Sequence, residues 1–281
     1  LRAKSDEAAR EENIKKLEAE FEAVTEELRK KTEEEAETEL KLGDIREELT
    51  KKDEKLRETQ NAYHMEKSKL DALSNLTERY DGYGGSVKKV MEQKEKNRGI
   101  IGVVADIIKT EKKYETAIET ALGGNIQNIV TDNEETAKKM IQFLKTNKLG
   151  RATFLPLTSI TSPQEFKTPE VLKEKGAIGM ADTLVHTKEE YGNVAKAMLG
   201  RIVVVDHVDN AVKIARKYDY SIRMVTLEGE LLVPGGAISG GAFKNNSNLL
   251  GRRRELEELE KNAKKLLAEI DALNREIDAK K

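Results

Sequence analysis

Few residues in this 281-residue chain have types and spacing that suit chemistry. Cysteine is absent, which excludes a disulfide framework, thiolate metal ligation and a cysteine nucleophile. Three histidines, His64, His186 and His207, stand far apart and lack the paired spacing of a metal site. There is no Gly-Lys dipeptide, hence no phosphate-binding G-x-x-x-x-G-K-[ST] loop, and no G-x-S-x-G nucleophile elbow. Asp132 and Asp206 each close an apolar run and could be read as paired acids. Their equivalent places, just before helical segments, suit helix N-caps better. The expectation is no catalytic residue, no metal site and no cofactor in this chain.

The most unusual stretch runs from Glu228 to Gly241, where five glycines flank two short apolar runs. Gly235-Gly236 and Gly240-Gly241 permit positive φ and close approach of another backbone. A phosphate cradle would need a Lys or Ser/Thr at a spacing that is missing. Two readings stay open: tight turns around a hairpin, or a surface where a second chain packs through a sheet edge.

The elements that hold this stretch read as an α/β domain. Short apolar runs bounded by turn residues, Ile100–Ile108, Ile126–Thr131, Ala152–Leu157, Ile178–Val185, Ile202–Val205, Ile222–Leu227 and Leu231–Val233, predict strands. Lys112–Leu122, Glu134–Thr146, Glu190–Leu199 and Val208–Tyr218 predict helices between them. The domain also repeats itself. Gly102, Thr110, Tyr114 and Leu122-Gly123 recur in order as Gly179, Thr187, Tyr191 and Leu199-Gly200. An apolar run ending in Asp then follows in each, at Asp132 and Asp206, with Ala137 and Ala211 five residues after each Asp. Two copies of one strand–helix unit are expected, joined by a polar linker that holds Pro163 and Pro169.

The flanks read differently. With Ile14 as heptad position a, the a sites continue through Phe21, Leu28, Glu35, Leu42, Leu49, Leu56, Tyr63 and Leu70. The d sites are weaker, with Lys31, Thr38, Lys52, Thr59 and Glu66 among them. Leu256, Leu259, Ala263, Leu266, Ile270, Leu273 and Ile277 keep the same spacing in the tail. A register kept this long demands a partner helix. The simplest arrangement is an intramolecular antiparallel coiled coil that carries the domain at its end. The arms are unequal, so about half of the first has no partner within the chain. The start at Leu1 likewise suggests a piece of something longer. The expected fold class is therefore mixed α/β, two related subdomains flanked by two long helices. Boundaries fall at 1–80 for the first arm, 81–157 and 177–248 for the subdomains, 158–176 for the linker and 249–281 for the second arm.

Composition agrees. Charged residues make up 36% and hydrophobic residues 37%, too few apolar side chains for one globule of this size. The net charge of −2 divides into −6 over residues 1–80, +3 over 81–248 and +1 over 249–281. No segment carries the charge of a dedicated nucleic-acid domain. No signal peptide opens the chain, and no apolar run is long enough to span a bilayer.

The blocks Tyr114–Gly123, Gly150–Leu157 and the double Gly-Gly motif, in that order, resemble the hinge of structural maintenance of chromosomes (SMC) proteins, closest to the bacterial type. The likeness covers about residues 81–251, with arms on both sides as the family requires. It implies a hinge of two related subdomains that pairs with a second hinge into a homodimer, with Gly235, Gly236, Gly240 and Gly241 at or near the contacts. It implies a role in joining two protomers for chromosome condensation, segregation and DNA entrapment, in the cytoplasm at the nucleoid. It also implies that ATP and Mg belong to head domains absent here, so this chain is not expected to be an enzyme.

Family hinges often bind DNA through basic residues near the junction with the coil. The matching candidates are Lys88, Lys89, Lys94, Lys96, Arg98, Lys244, Arg252, Arg253 and Arg254. Only Lys244 follows Gly241 before a polar stretch, where some relatives are more basic. The alternative is a solvated helical face with Arg253–Glu257 and Arg254–Glu258 as i,i+4 pairs. Against it, three positive charges near a helix start oppose the helix dipole and hint at another use. Any DNA contact is expected to be weak, sequence-independent and salt-sensitive. The other functional reading is a DNA-binding module whose dimerisation is incidental.

Overall fold

The structure, a computed structural model, describes residues 2–243 and 248–280, with side chains from residue 4 onward. The chain divides into two compact units, residues 1–65 with 263–281, and residues 66–262. Two long helices, α1 (Arg2–Glu78) and α8 (Leu249–Lys280), contribute to both.

In the first unit α1 and α8 run antiparallel. Glu48 pairs with Lys280 and Lys52 with Glu276, so four residues forward on α1 is four residues back on α8. The seam follows the heptads: Leu49, Lys52, Leu56 and Tyr63 are half-buried and Thr59 is buried on α1. Ala263, Ile270, Leu273 and Ile277 face them from α8 and are buried. The polar d sites Lys52 and Thr59 therefore do lie in the seam. Before Glu48 the helix has no partner among the described residues, and its heptad residues are exposed, Phe21 at 73%. Intrahelical pairs such as Arg29 with Glu26 and Glu33 support that stretch, each by roughly 0.2–0.5 kcal/mol.

The second unit holds the α/β domain. After α1 the chain breaks at Tyr80 and Gly82, both at positive φ, and re-enters a helix at α2 (Gly85–Met91). The first subdomain contains β1 (Ile100–Val103), α3 (Val104–Ile107), β2 (Lys109–Thr110), α4 (Lys112–Leu122), β3 (Ile129–Thr131), α5 (Glu134–Thr146) and β4 (Phe154–Pro156). The second contains β5 (Ala177–Met180), β6 (Val185–His186), α6 (Gly192–Leu199), β7 (Ile202–Val205), α7 (Val208–Lys217), β8 (Arg223–Thr226), β9 (Leu231–Leu232) and β10 (Ile238–Ser239).

The duplication read from spacing is present in the hydrogen bonds. β1 pairs antiparallel with β3 across a bulge, and β5 pairs antiparallel with β7 across the equivalent bulge. β3–β4 and β7–β8 are both parallel. Asp132 N donates to Gly99 O, and Asp206 N to Gly176 O, each at 2.9 Å. The halves meet through their own equivalent strands, since β2 pairs antiparallel with β6. Thr110 Oγ1 donates to Leu184 O at 2.8 Å, and Thr187 Oγ1 to Ile107 O at 2.6 Å. Equivalent residues exchanging equivalent bonds describe a local two-fold relation between the subdomains.

The three-stranded sheet has the order β1-β3-β4, and the five-stranded sheet β10-β9-β8-β7-β5. Alternate side chains of a strand face opposite sides. On β7, Ile202 and Val204 enter a core shared with α4, α6 and the first subdomain, while Val203 and Val205 enter a second core with Ile214 and Met224. A strand covered on both faces reads as an uninterrupted apolar run, which is why Ile202–Val205 was legible without alternation.

Two expectations are corrected. Ile100–Ile108 is not one strand: β1 gives way to the single turn α3, and β2 begins only at Lys109. Ile178–Val185 breaks the same way into β5, a 3₁₀ turn (Ala181–Leu184) and β6. Each turn is only partly buried and carries an aspartate, Asp106 or Asp182, but the apolar residues on both sides hide it, and the chain bends there to reach the junction between halves. Asp132 and Asp206 are not N-caps either. Asn133 caps α5, its side chain accepting from Thr136 N, and His207 occupies the cap position of α7. Each aspartate stands one residue earlier and accepts from the first turn, Asp132 from Thr136 Oγ1 at 2.6 Å and Asp206 from Asn210 Nδ2 at 2.8 Å. That bond to Asn210 is the main reason the Asp206 carboxyl sits below its usual range.

Candidate interaction edge and arm root

The glycine motif forms the last hairpin of the five-stranded sheet. β9 and β10 pair through Leu232–Ile238 and Leu231–Ser239. Between them Val233 N donates to Ala237 O and Gly236 N to Val233 O. Gly235 and Gly236 sit at φ +97° and +99°, conformations that side chains with a Cβ rarely adopt, so this turn requires both glycines. Gly235 N also donates to Tyr220 O, which ties the turn to the loop that follows α7. Gly240 passes over Glu230, where a Cβ would stand 3.0 Å from its Cγ. Gly241 follows at φ +136°.

β10 is the outermost strand of its sheet, and its outer backbone groups have no partner strand among the described residues. Around it Ile238 is 54% exposed, Tyr220 46% and Phe243 63%. An unpaired edge beside exposed large apolar side chains is a surface for association with another chain.

The basic candidates divide by what they touch. Arg252, Arg253 and Arg254 are turned inward. Arg252 Nη1 donates to Asp81 O at 2.5 Å. Arg253 Nη1 donates to Asp106 O at 2.5 Å and Nη2 to Asp106 Oδ1 at 3.2 Å. Arg254 Nε donates to Glu115, and its Nη1 to Glu258 at 3.0 Å. Glu115, on α4, is buried, and its other oxygen accepts from Asn248 Nδ2 at 3.1 Å. Of the two i,i+4 pairs expected on α8, Arg254–Glu258 forms, whereas Glu257 pairs with Lys109. The charges that oppose the α8 dipole are thus offset by carboxylates of the first subdomain.

Asp106 is the centre of this root. Its Oδ2 accepts from Tyr80 Oη at 2.9 Å and from Val103 N at 3.2 Å. The end of α1 and the start of α8 therefore share one side chain. Glu119 completes it by accepting from Leu249 N at 3.1 Å, at the first turn of α8. Burial pushes the Glu119 carboxyl up to about 7, against the lowering effect of that N–H. Burial beside Asp106 also raises the hydroxyls of Tyr80 and Tyr83 well above the usual tyrosine range. Nothing in the sequence singled out Asp106, Glu115 or Glu119, because acids on a charged helix look solvated until the elements around them are placed.

Of the other candidates, Lys88 pairs with Asp81 at 3.0 Å and Lys89 with Glu92 at 3.4 Å. Lys94, Lys96 and Arg98 are exposed. Lys244 lies outside the described residues. A cleft of about 520 Å³ opens beside the β2–β6 junction, and Lys94, Lys109, His186, Lys188 and Arg253 line it with a single acid, Asp106. Sequence reasoning missed Lys109, His186 and Lys188, which only the pairing of the two halves brings to Lys94.

The family model described as "SMC proteins Flexible Hinge Domain" matches residues 97–215. A solved structure, the asymmetric dimer of the Geobacillus stearothermophilus SMC hinge domain, superposes with a TM-score of 0.78 at 33% identity. It covers 85% of this chain and 97% of that one. This chain belongs to the SMC hinge family. The chromosome partition protein Smc of Bacillus subtilis (strain 168) is 40% identical over 214 residues, 75% of this chain and 18% of its own length. That of Desulfitobacterium hafniense (strain Y51) is 38% identical over 220 residues, 76% and 18%. The chain thus spans less than a fifth of the length of these relatives. No helix among the described residues is long and apolar enough to cross a membrane.

Proposed function

We propose that this hinge joins two copies of an SMC chromosome partition protein at the ends of their arms. The observation that carries the reading is the free β10 edge, with Ile238 and Tyr220 exposed beside the Gly235–Gly236 turn and Phe243 exposed at the other end of the hairpin, near Gly229. The Geobacillus relative, described as a dimer, supports it. The whole protein would use the junction to link two arms around DNA at the nucleoid, with ATP hydrolysis in segments outside this chain. The test is solution mass by light scattering over a dilution series. We expect a particle of twice 31.6 kDa, converted to monomer by Ile238→Asp with the circular dichroism unchanged. A wild-type monomer at every concentration, or an Ile238→Asp dimer, would refute this edge as the contact.

A second reading, DNA contact, is favoured by the cationic cleft. Arg252 and Arg254 have internal partners and Lys109 is paired with Glu257, so the contact falls on Lys94 and Lys188, with Lys96 and Arg98 nearby in sequence. Binding would be sequence-independent and fall steeply with salt. Lys94→Glu with Lys188→Glu should weaken it about tenfold or more at low salt in a filter-binding assay. Unchanged affinity would remove the cleft from consideration.

A further inference from the structure

Near the globular part, a groove of about 490 Å³ lies between Glu66–Leu76 of α1 and Glu255–Asn262 of α8. Its walls are Ala72, Leu73, Leu76 and Leu259, and Leu76 is 44% exposed. Its charged lining is Glu66, Glu255 and Glu258 against one base, Lys69. Glu258 bonds to Arg254, which leaves Glu66 and Glu255 as the open acids. Glu66 stands at a d site, where a two-stranded seam takes Leu. Its Oε1 lies 3.8 Å from Lys69 Nζ, while Oε2 is buried with no hydrogen-bond partner. A buried carboxylate oxygen without a donor is destabilising for the pair of helices alone. A cation entering the groove would meet Glu66 first at Oε1, which only the 3.8 Å contact with Lys69 holds, and turning the carboxylate toward it would relieve Oε2.

We propose that this groove docks a helix of a partner protein that presents a Lys or Arg among apolar side chains, the cation reaching Glu66. Charge complementarity selects that occupant. A second copy placed groove to groove would set Glu66 and Glu255 against their own counterparts, and like charges repel. Nucleic acid is excluded by the same acids. The ten helical steps from Glu66 to Leu76 span about 15 Å, enough for nearly three turns of an incoming helix. Apolar anchors at i, i+3 and i+7 are the pattern such a groove accepts. The inference does not depend on dimerisation through β10.

The probe is a short fluorescein-labelled helical peptide with Leu at i, i+3 and i+7 and Arg at i+4, titrated with the 281-residue chain by anisotropy. Its counterpart carries Glu in place of Arg. The Arg peptide should saturate, and the Glu peptide should not bind. Affinity should fall at least about tenfold in Glu66→Leu, which restores an ordinary d residue and keeps the coil folded, and in Leu76→Glu. Equal binding by the wild type and both variants would mean general attraction to an acidic arm and would overturn the proposal. Failure of the Arg peptide to bind the wild type would also overturn it. So would a Leu76→Cys variant that forms disulfide-linked dimers and excludes the peptide, because the occupant would then be a second copy.

Discussion

Asp106→Ala tests whether one side chain roots both arms. Three donors converge on the carboxylate, from Tyr80, Val103 and Arg253. The side chain of Asp106 is 11% exposed and that of Arg253 37%. The bonds from Tyr80 and Val103 are sheltered, and losing each leaves a partly buried donor unsatisfied at about 1–3 kcal/mol. Arg253 is exposed enough for solvent to screen it, so its share is about 1 kcal/mol or less. These add to about 2–7 kcal/mol, and the range of about 3–5 kcal/mol for removing one partner of a buried pair sits at its centre. Arg253→Ala alone should cost about 1 kcal/mol, and the double variant should cost less than the two single losses together. The chain has no Trp, so the readout is the near-ultraviolet signal of Tyr80 and Tyr83, whose rings stack edge-on at 5.3 Å. Hydrogen exchange across residues 249–255 would accompany urea titration. A loss below about 0.5 kcal/mol, or full additivity with Arg253→Ala, would show that Asp106 does not couple the arms.

Glu119 gives a pH dependence with a definite sign. Its carboxyl is raised from 4.5 to about 7 in the folded chain, so the folded state binds the proton more tightly. Its contribution is fully present below 4.5 and is lost as pH rises through about 7. Glu119→Gln should flatten that fall between pH 5 and 8, by at most about 2 kcal/mol after allowance for partial exposure; parallel stability curves for both proteins would contradict it. In the coil, Thr59 is buried at a d site with its hydroxyl bonded to Lys55 O at 2.8 Å. Thr59→Leu should raise the thermal midpoint of the coiled-coil helices by the equivalent of about 1 kcal/mol, read by far-ultraviolet dichroism. A lowered midpoint would mean the seam there is too tight for Leu.

Legibility in the sequence followed how local each feature is. Helices α4 and α5 match their expected bounds residue for residue, because their apolar spacing and start signals are contained within them. The duplication was legible because equivalent residues repeat in order. The break of each long apolar run into strand, turn and strand was not, since a single turn is too short to carry a periodicity of its own. The arginines of 252–254 were visible as an anomaly, three cations at a helix start. Their partners were not, because Asp106 and Glu115 lie more than a hundred residues away in the chain and reach α8 only when the first subdomain folds against it. The lining of the cationic cleft was hidden for the same reason, being assembled by pairing of the two halves.

The shared core limits where a hinge of this kind can open. Although α8 follows the second subdomain in sequence, its root is bonded to the first, through Asp106, Glu115 and Glu119. Tension along either arm therefore enters the first subdomain. It reaches the second through β2–β6 and a core in which Ile118, Leu122, Val194 and Leu199 are at most 2% exposed. Parting the subdomains would expose those four side chains at about 1.5–3 kcal/mol each, roughly 6–12 kcal/mol before any neighbour is counted. That equals the whole stability of a typical domain. A cost of that size holds the two subdomains together as one body.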